Sequence, residues 1–207
     1  MMPDLKGRLE RALTRETRPS SDFDLLPGAP FPPGSRLREA SVLVPIIATP
    51  IPKLILTKRS SALKHHPGQI AFPGGKVDPD DDGVVGAALR EAEEEIGLTS
   101  DKVEVLGTLS SHETVTGFQV TPVLSLVDPV FQPVPELVEV AEVFEVPLTH
   151  VLDPARYVVE GRMWRGQMRR YFAVPFGPYY IWGATARMLR SLADRMGNED
   201  HAGLADR

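Results

Sequence analysis

The chain has 207 residues, 42% of them hydrophobic and 25% charged, with a formal net charge of -5 and no cysteine. That length and composition suit one ordinary folded domain with a full core, 1–207, and exclude disulfides, a thiol nucleophile and cysteine-ligated zinc or iron-sulfur centres. The acidic balance argues against a general nucleic-acid binder, so a small-molecule partner is expected.

No run approaches the roughly 18 apolar residues that a membrane span needs. The opening stretch carries Asp4, Glu10 and Glu16 and has no apolar signal core, so the expected protein is cytoplasmic, with no membrane partner. A homodimer is compatible with everything in the composition.

Leu5, Leu9, Ala12 and Leu13 recur at helical spacing and predict a short amphipathic helix from Pro3 to Arg15. The run from Arg18 to Ser35 is rich in Pro and Gly and reads as an irregular arm, so that residues 1–38 form a helix and arm ahead of the main body. Ala40 to Ala48 is an apolar, β-branched strand that turns at Pro50 to Pro52 into a second strand, Lys53 to Thr57, with Pro45 favouring an edge or a bulge. Gln69 to Phe72 is a short strand feeding a glycine turn.

Further strands are predicted at Val103 to Ser110, Val120 to Val127, Val138 to Val146 and Met168 to Val174, and a last helix at Tyr179 to Met196 with a frayed polar tail after Gly197. Many strands and few helices suggest a mixed sheet with helices on both sides.

The stretch from Pro73 to Leu98 carries the chemistry. A glycine pair, Gly74-Gly75, leads through an acidic loop, whose Asp80-Asp81-Asp82 supplies an N-cap, into a helix stopped by Gly97. Glu91, Glu94 and Glu95 stand at i, i+3 and i+4 and therefore share one face, expected to meet solvent, while Val85, Leu89, Ala92 and Ile96 line an apolar face. An acidic helix face is ordinarily a solvated surface. Crowded carboxylates beside a flexible glycine backbone instead ask for a cation, and an all-oxygen donor set suits Mg²⁺ or Mn²⁺.

The run Arg90-Glu91-Ala92-Glu93-Glu94-Glu95-Ile96-Gly97-Leu98 resembles the core of the Nudix box, G-x5-E-x7-R-E-U-x-E-E-x-G-U with U aliphatic. Counted back from Arg90, the box glutamate falls on Asp82 and the box glycine on Lys76, so Gly75 comes one residue early and the loop is one residue longer. The resemblance implies an α/β (α+β) fold, a Nudix-type α/β/α sandwich with a mixed sheet. It also implies a divalent metal at Glu91, Glu94 and Glu95.

Leu56-Thr57-Lys58-Arg59-Ser60, Lys64, Gly68 and Phe72-Pro73-Gly74-Gly75 are similar to the L-L-T-x-R-S-x3-R-x3-G-x3-F-P-G-G element of Nudix coenzyme A diphosphatases, with Ile55 for the first leucine and Lys64 for the second arginine. Glu139 to Leu148 and the start Ile181 to Ala186 resemble further segments of that subfamily. This likeness implies hydrolysis of coenzyme A or acyl-CoA to 3′,5′-ADP and 4′-phosphopantetheine. It makes Lys58, Arg59, Lys64, His66, Gln69, Gly74 and Gly75 candidate substrate contacts, the basic ones as a wall for phosphate. Glu94 and the loop residue Glu113 are the candidate bases, and Arg90 a supporting group that reaches Glu94 one turn on. Two alternatives stay open: hydrolysis of another nucleoside diphosphate derivative such as ADP-ribose or NADH, and a Nudix-fold module that binds without turnover.

Overall fold

The structure, a computed structural model, describes residues 5–15, 17–26, 37–63, 66–164 and 166–202. The middle of the predicted arm, 27–36, and the candidate contact Lys64 lie outside these residues.

The strands are β1 (Ser20–Ser21), β2 (Arg38–Ile47), β3 (Lys53–Arg59), β4 (Ile70–Ala71), β5 (Gly74–Lys76), β6 (Val103–Thr108), β7 (His112–Glu113), β8 (Phe118–Val127), β9 (Val140–Pro147), β10 (Val158–Trp164) and β11 (Gln167–Ala173). The helices are α1 (Leu5–Thr14), α2 (Gly83–Ile96), α3 (Leu148–Val151) and α4 (Gly183–Ala202). The first nine strands form one mixed sheet with β1-β7-β8-β2-β3-β4 as its spine, while β5 joins β2, β6 joins β8 and β9 joins β3. The last two make a separate hairpin, of which only β11 was expected.

Strand alternation divides the core in two. Val44, Ile46, Leu54, Leu56, Val120 and Leu124 point to the face covered by α1 and α4, where Leu9, Leu189 and Leu192 meet them. Leu43, Ile47, Ile55, Val123 and Val127 point to the other face, against Ala88, Ala92 and Ile96 of α2. The result is the expected sandwich of helices on both sides of a mixed sheet.

Three local expectations are corrected. Pro45 sits in a central strand, because β2 pairs with β8 along its whole length. Leu43 N–H bonds Pro73 O at 2.9 Å, so the nitrogen of Pro45 faces the same side, in the gap between the β5 pairs ending at Val42 and the β3 pairs beginning at Ile46. No ladder bond is lost there. The last helix begins at Gly183, four residues later than expected, since Val174 N–H bonds Ile181 O and keeps that segment extended. It also continues past Gly197 to Ala202. Trp182 packs against Tyr171, ring centroids 5.0 Å apart.

Part of the arm is firmly placed. Ser20 Oγ and His112 Nδ1 are 2.9 Å apart, His112 Nε2 lies 3.1 Å from Asp22 Oδ1, and Val115 N–H donates to Asp22 Oδ2. With His112 fully buried, this chain ties β1 to β7 and has no exposed nucleophile. No helix among the described residues is long and apolar enough to cross a membrane.

Candidate active site on the acidic helix

Helix α2 ends where the sequence says it should. Gly97 adopts φ 69°, its N–H reaches Glu93 O at 2.9 Å, and Leu98 N–H reaches Ala92 O at 3.2 Å, a left-handed cap only glycine takes without strain. The start differs from expectation. Asp82 occupies the N-cap position but its side chain accepts no cap bond.

Asp81 is engaged instead. Arg90 Nε donates to Asp81 Oδ1 at 2.8 Å and Nη2 to Asp81 Oδ2 at 3.0 Å, while Asp78 N–H also donates to that carboxylate. These bonds, Arg90 first, hold the Asp81 carboxyl below the usual range. Counting along the motif selects Asp82, yet the acid that meets Arg90 is its neighbour, because the longer loop turns that side chain under the helix.

The guanidinium of Arg90 has further partners. Nη1 donates to Glu91 Oε1 at 3.0 Å and to Glu94 Oε2 at 3.1 Å, and Nη2 to Lys76 O at 3.2 Å. Arg90 therefore fastens the acidic loop to the helix and bonds two of its glutamates, reaching Glu94 one turn on.

Strand β5 lies directly on this face. Gly74, at φ 155°, pairs with Val42, and a Cβ there would stand 2.4 Å from Ser41 O. A Cβ on Gly75 would stand 2.2 Å from Glu91 Oε1. The two glycines let a bare backbone close over the carboxylates, so the face expected to meet solvent is largely covered. Glu95 is only 5% exposed, whereas Glu94 and Glu93 remain at the surface.

Burial sets the electrostatics. It pushes the Glu91 carboxyl up, with Glu94 and Glu139 adding repulsion against the opposing pull of Arg90. Glu95 is raised to about 8, chiefly by burial and then by Glu91 and Glu139, while Arg59 and the Gly74 amide favour its charged form. Glu95 Oε2 and Arg59 Nε are both buried without a hydrogen-bond partner.

The other candidates separate. Arg59, at the end of β3, faces Glu95. Lys58 is exposed and, by strand alternation, points to the opposite face of the sheet, so the two do not form one basic wall. His66 is exposed at φ 55° in the turn that returns to Gln69, and Gln69 itself is half-buried with its carbonyl on Arg59 N–H. Glu113 on β7 pairs with Gln119 of β8, three strand spacings or roughly 14 Å across the sheet from the β5 strand that carries Gly75, and is not drawn into the acidic cluster.

One participant was missed. Glu139 precedes β9 and acts electrostatically on both Glu91 and Glu95. Its carbonyl accepts Ser60 N–H at 2.8 Å, and the segment before it runs along the end of α2 through Val134 N–H to Ile96 O and Glu136 N–H to Glu95 O. Nothing in local spacing ties residue 139 to residue 95, since only the crossing of β9 beside β3 brings them together.

A model of the NUDIX domain matches residues 37–160, which span this sheet, the glycine turn and the acidic helix. The chain belongs to the Nudix family. It is 43% identical over 177 residues to the uncharacterized Nudix hydrolase NudL of Klebsiella pneumoniae, covering 86% of this chain and 92% of that protein. It is 44% identical over 160 residues to the NudL protein of Escherichia coli, covering 77% and 83%. Among solved structures, a MutT/nudix family protein from Enterococcus faecalis shares the fold at a TM-score of 0.53 and 15% identity, over 82% of this chain and 66% of that one.

The chain is thus a Nudix hydrolase, an enzyme acting on nucleoside diphosphate derivatives, and Nudix hydrolases generally use divalent cations such as Mg²⁺. The donor chemistry here fits such a cation: carboxylate oxygens, one of them buried and orphaned on Glu95, and two carboxyl groups whose charged forms are disfavoured until positive charge arrives. Among the described residues no three carboxylates or imidazoles converge as a ready cation site, because Arg90 draws Glu91 and Glu94 toward itself.

Proposed function

We propose that this Nudix hydrolase cleaves the diphosphate bond of coenzyme A or an acyl-CoA, adding water to give 3′,5′-ADP and 4′-phosphopantetheine or its acyl derivative. The observation that carries this reading is the path of the run from Leu56 to Gly75. It begins in β3, leaves Arg59 beside Glu95, and ends with Gly75 against Glu91, so the stretch resembling the coenzyme A element borders the acidic face at both ends.

In this reading Glu91 and Glu95, with Glu94 adjoining, hold Mg²⁺ or Mn²⁺, which when bound neutralises phosphate oxygens and polarises water. Arg90 orients Glu91 and Glu94. Glu94, whose side chain is 60% exposed, is the candidate base that takes a proton from the attacking water. Arg59 offers a positive charge to the diphosphate, and the bare backbone at Gly74 and Gly75 lets β5 lie directly against Glu91. Val134, Leu137 and Val138, each at least 70% exposed in the segment leading to Glu139, supply an apolar edge suited to an acyl or pantetheine chain.

Product analysis after incubation with Mg²⁺ and coenzyme A, acetyl-CoA, ADP-ribose or NADH tests the proposal. A higher kcat/KM for coenzyme A or its thioester than for ADP-ribose and NADH is expected. A preference for ADP-ribose would overturn the substrate assignment and leave the family intact.

A further inference from the structure

On the sheet face opposite α2, the guanidinium of Arg195 in α4 is buried, the residue being 3% exposed. Its Nη1 donates to Ala12 O at 3.2 Å and its Nη2 to Thr17 Oγ1 and to Ser110 Oγ at 2.8 Å, whereas Nε has no partner. Each acceptor is neutral. No carboxylate among the described residues pairs with it.

An arginine keeps its proton, so burial against neutral oxygens leaves its positive charge without a compensating carboxylate among the described residues, at a cost that a bound anion would offset. A second guanidinium is close, since Arg15 Nη1 donates to the backbone carbonyl of Arg195. Both arginines line an open surface pocket of about 330 Å³, together with the hydroxyls of Thr17, Thr108 and Ser110, and with leucines on its apolar side.

Both Nη2 protons of Arg195 and the Ser110 hydroxyl proton, which goes to Thr17 O at 2.8 Å, are already engaged, so the donors that a tetrahedral oxyanion would meet are the unpartnered Nε of Arg195, the side chain of Arg15 and the Thr108 hydroxyl. The volume lies at the small end of the roughly 300 to 1,000 Å³ of ligand sites, enough for a phosphate with a short organic tail. We propose that this pocket binds phosphate or a small phosphomonoester at a site separate from the acidic helix. The ligand would bridge α1, the Thr17 segment, the end of β6 and α4, and so secure the N-terminal helix to the body of the enzyme.

Equilibrium dialysis of inorganic phosphate and thermal melting, both in EDTA at constant ionic strength with chloride as reference, test the site in wild type, Arg195→Met and Arg15→Gln. The full chain should bind one phosphate saturably and melt higher in phosphate than in chloride. Each variant should bind at least about tenfold more weakly, the loss expected for one charge-assisted contact, and lose the melting increment. Glu95→Gln should bind phosphate like wild type, which separates this site from the acidic helix.

Displacement by glycerol 3-phosphate would support the site and assign it to phosphomonoesters. Failure of that competitor with saturable phosphate binding would support the site and assign it to the inorganic ion. If Arg195→Met does not fold, the half-buried Arg15 decides through Arg15→Gln. Absence of saturable binding in wild type, or unchanged affinity in the folded arginine variants, would overturn the proposal and leave Arg195 as a cap on the last carbonyls of α1.

Discussion

A methyl group on Gly75 would stand 2.2 Å from Oε1 of Glu91, so the backbone of β5 and the carboxylate of α2 share a contact with no room for any side chain. The conflict is with the end of a flexible side chain, which can swing away. Gly75→Ala should therefore fold normally yet lose about 10² in kcat, the order expected when a working group is displaced by an ångström. Gly74→Ala meets backbone instead, at 2.4 Å from Ser41 O and 2.6 Å from Val42 Cα, and should lower the melting temperature sharply. Steady-state rates beside circular-dichroism melts separate the two outcomes.

The covered face assigns unequal roles to neighbouring glutamates. Glu91→Gln and Glu95→Gln keep shape and remove charge, and each should reduce turnover by roughly 10² to 10⁴ and raise the Mg²⁺ concentration needed for half-maximal rate. Glu93 is exposed and off that face, so Glu93→Gln should behave as wild type. Equal losses in Glu93→Gln and Glu95→Gln would place the site elsewhere.

Glu95 also makes stability depend on pH. Its folded pKa of about 8 lies above the ordinary 4.5, so the folded metal-free protein binds the extra proton between those values. The stability this contributes is fully present below about pH 4.5 and is lost as pH rises toward 8. Urea unfolding in EDTA should show Glu95→Gln gaining on wild type across that window, by up to about 4 kcal/mol near pH 8 to 9, with a flatter profile. Mg²⁺ should reverse the sign by favouring the carboxylate of wild type.

Arg90 grips Asp81 with two nitrogens and holds Glu91 and Glu94 with a third. A lysine keeps the charge but cannot span these partners. Arg90→Lys should lower kcat by about tenfold or more while changing KM little. Asp81→Asn should do likewise and should abolish the part of the acid sensitivity that Asp81 contributes, because a depressed carboxyl adds stability above its ordinary pKa and loses it as pH falls through the lowered value. A rise in KM with unchanged kcat would mean that Arg90 contacts substrate instead of positioning the glutamates.

Helical period alone placed Glu91, Glu94 and Glu95 together, Ala92 and Ile96 on the core side, and the end of α2 at Gly97, because each follows from rise, turn and the left-handed tolerance of glycine. Strand period likewise contained the separation of Lys58 from Arg59, consecutive residues that point to opposite faces. Local rules could not say that Pro45 belongs to the sheet centre, since that depends on a gap between two partner strands, or that Asp81 and not Asp82 meets Arg90, since that depends on how the loop turns. Whether the acidic face is open or covered was decided by β5, Arg59 and Glu139, which come from three separate segments. Their effect on Glu95 is desolvation and charge at short range, and both exist only when distant residues are packed against it.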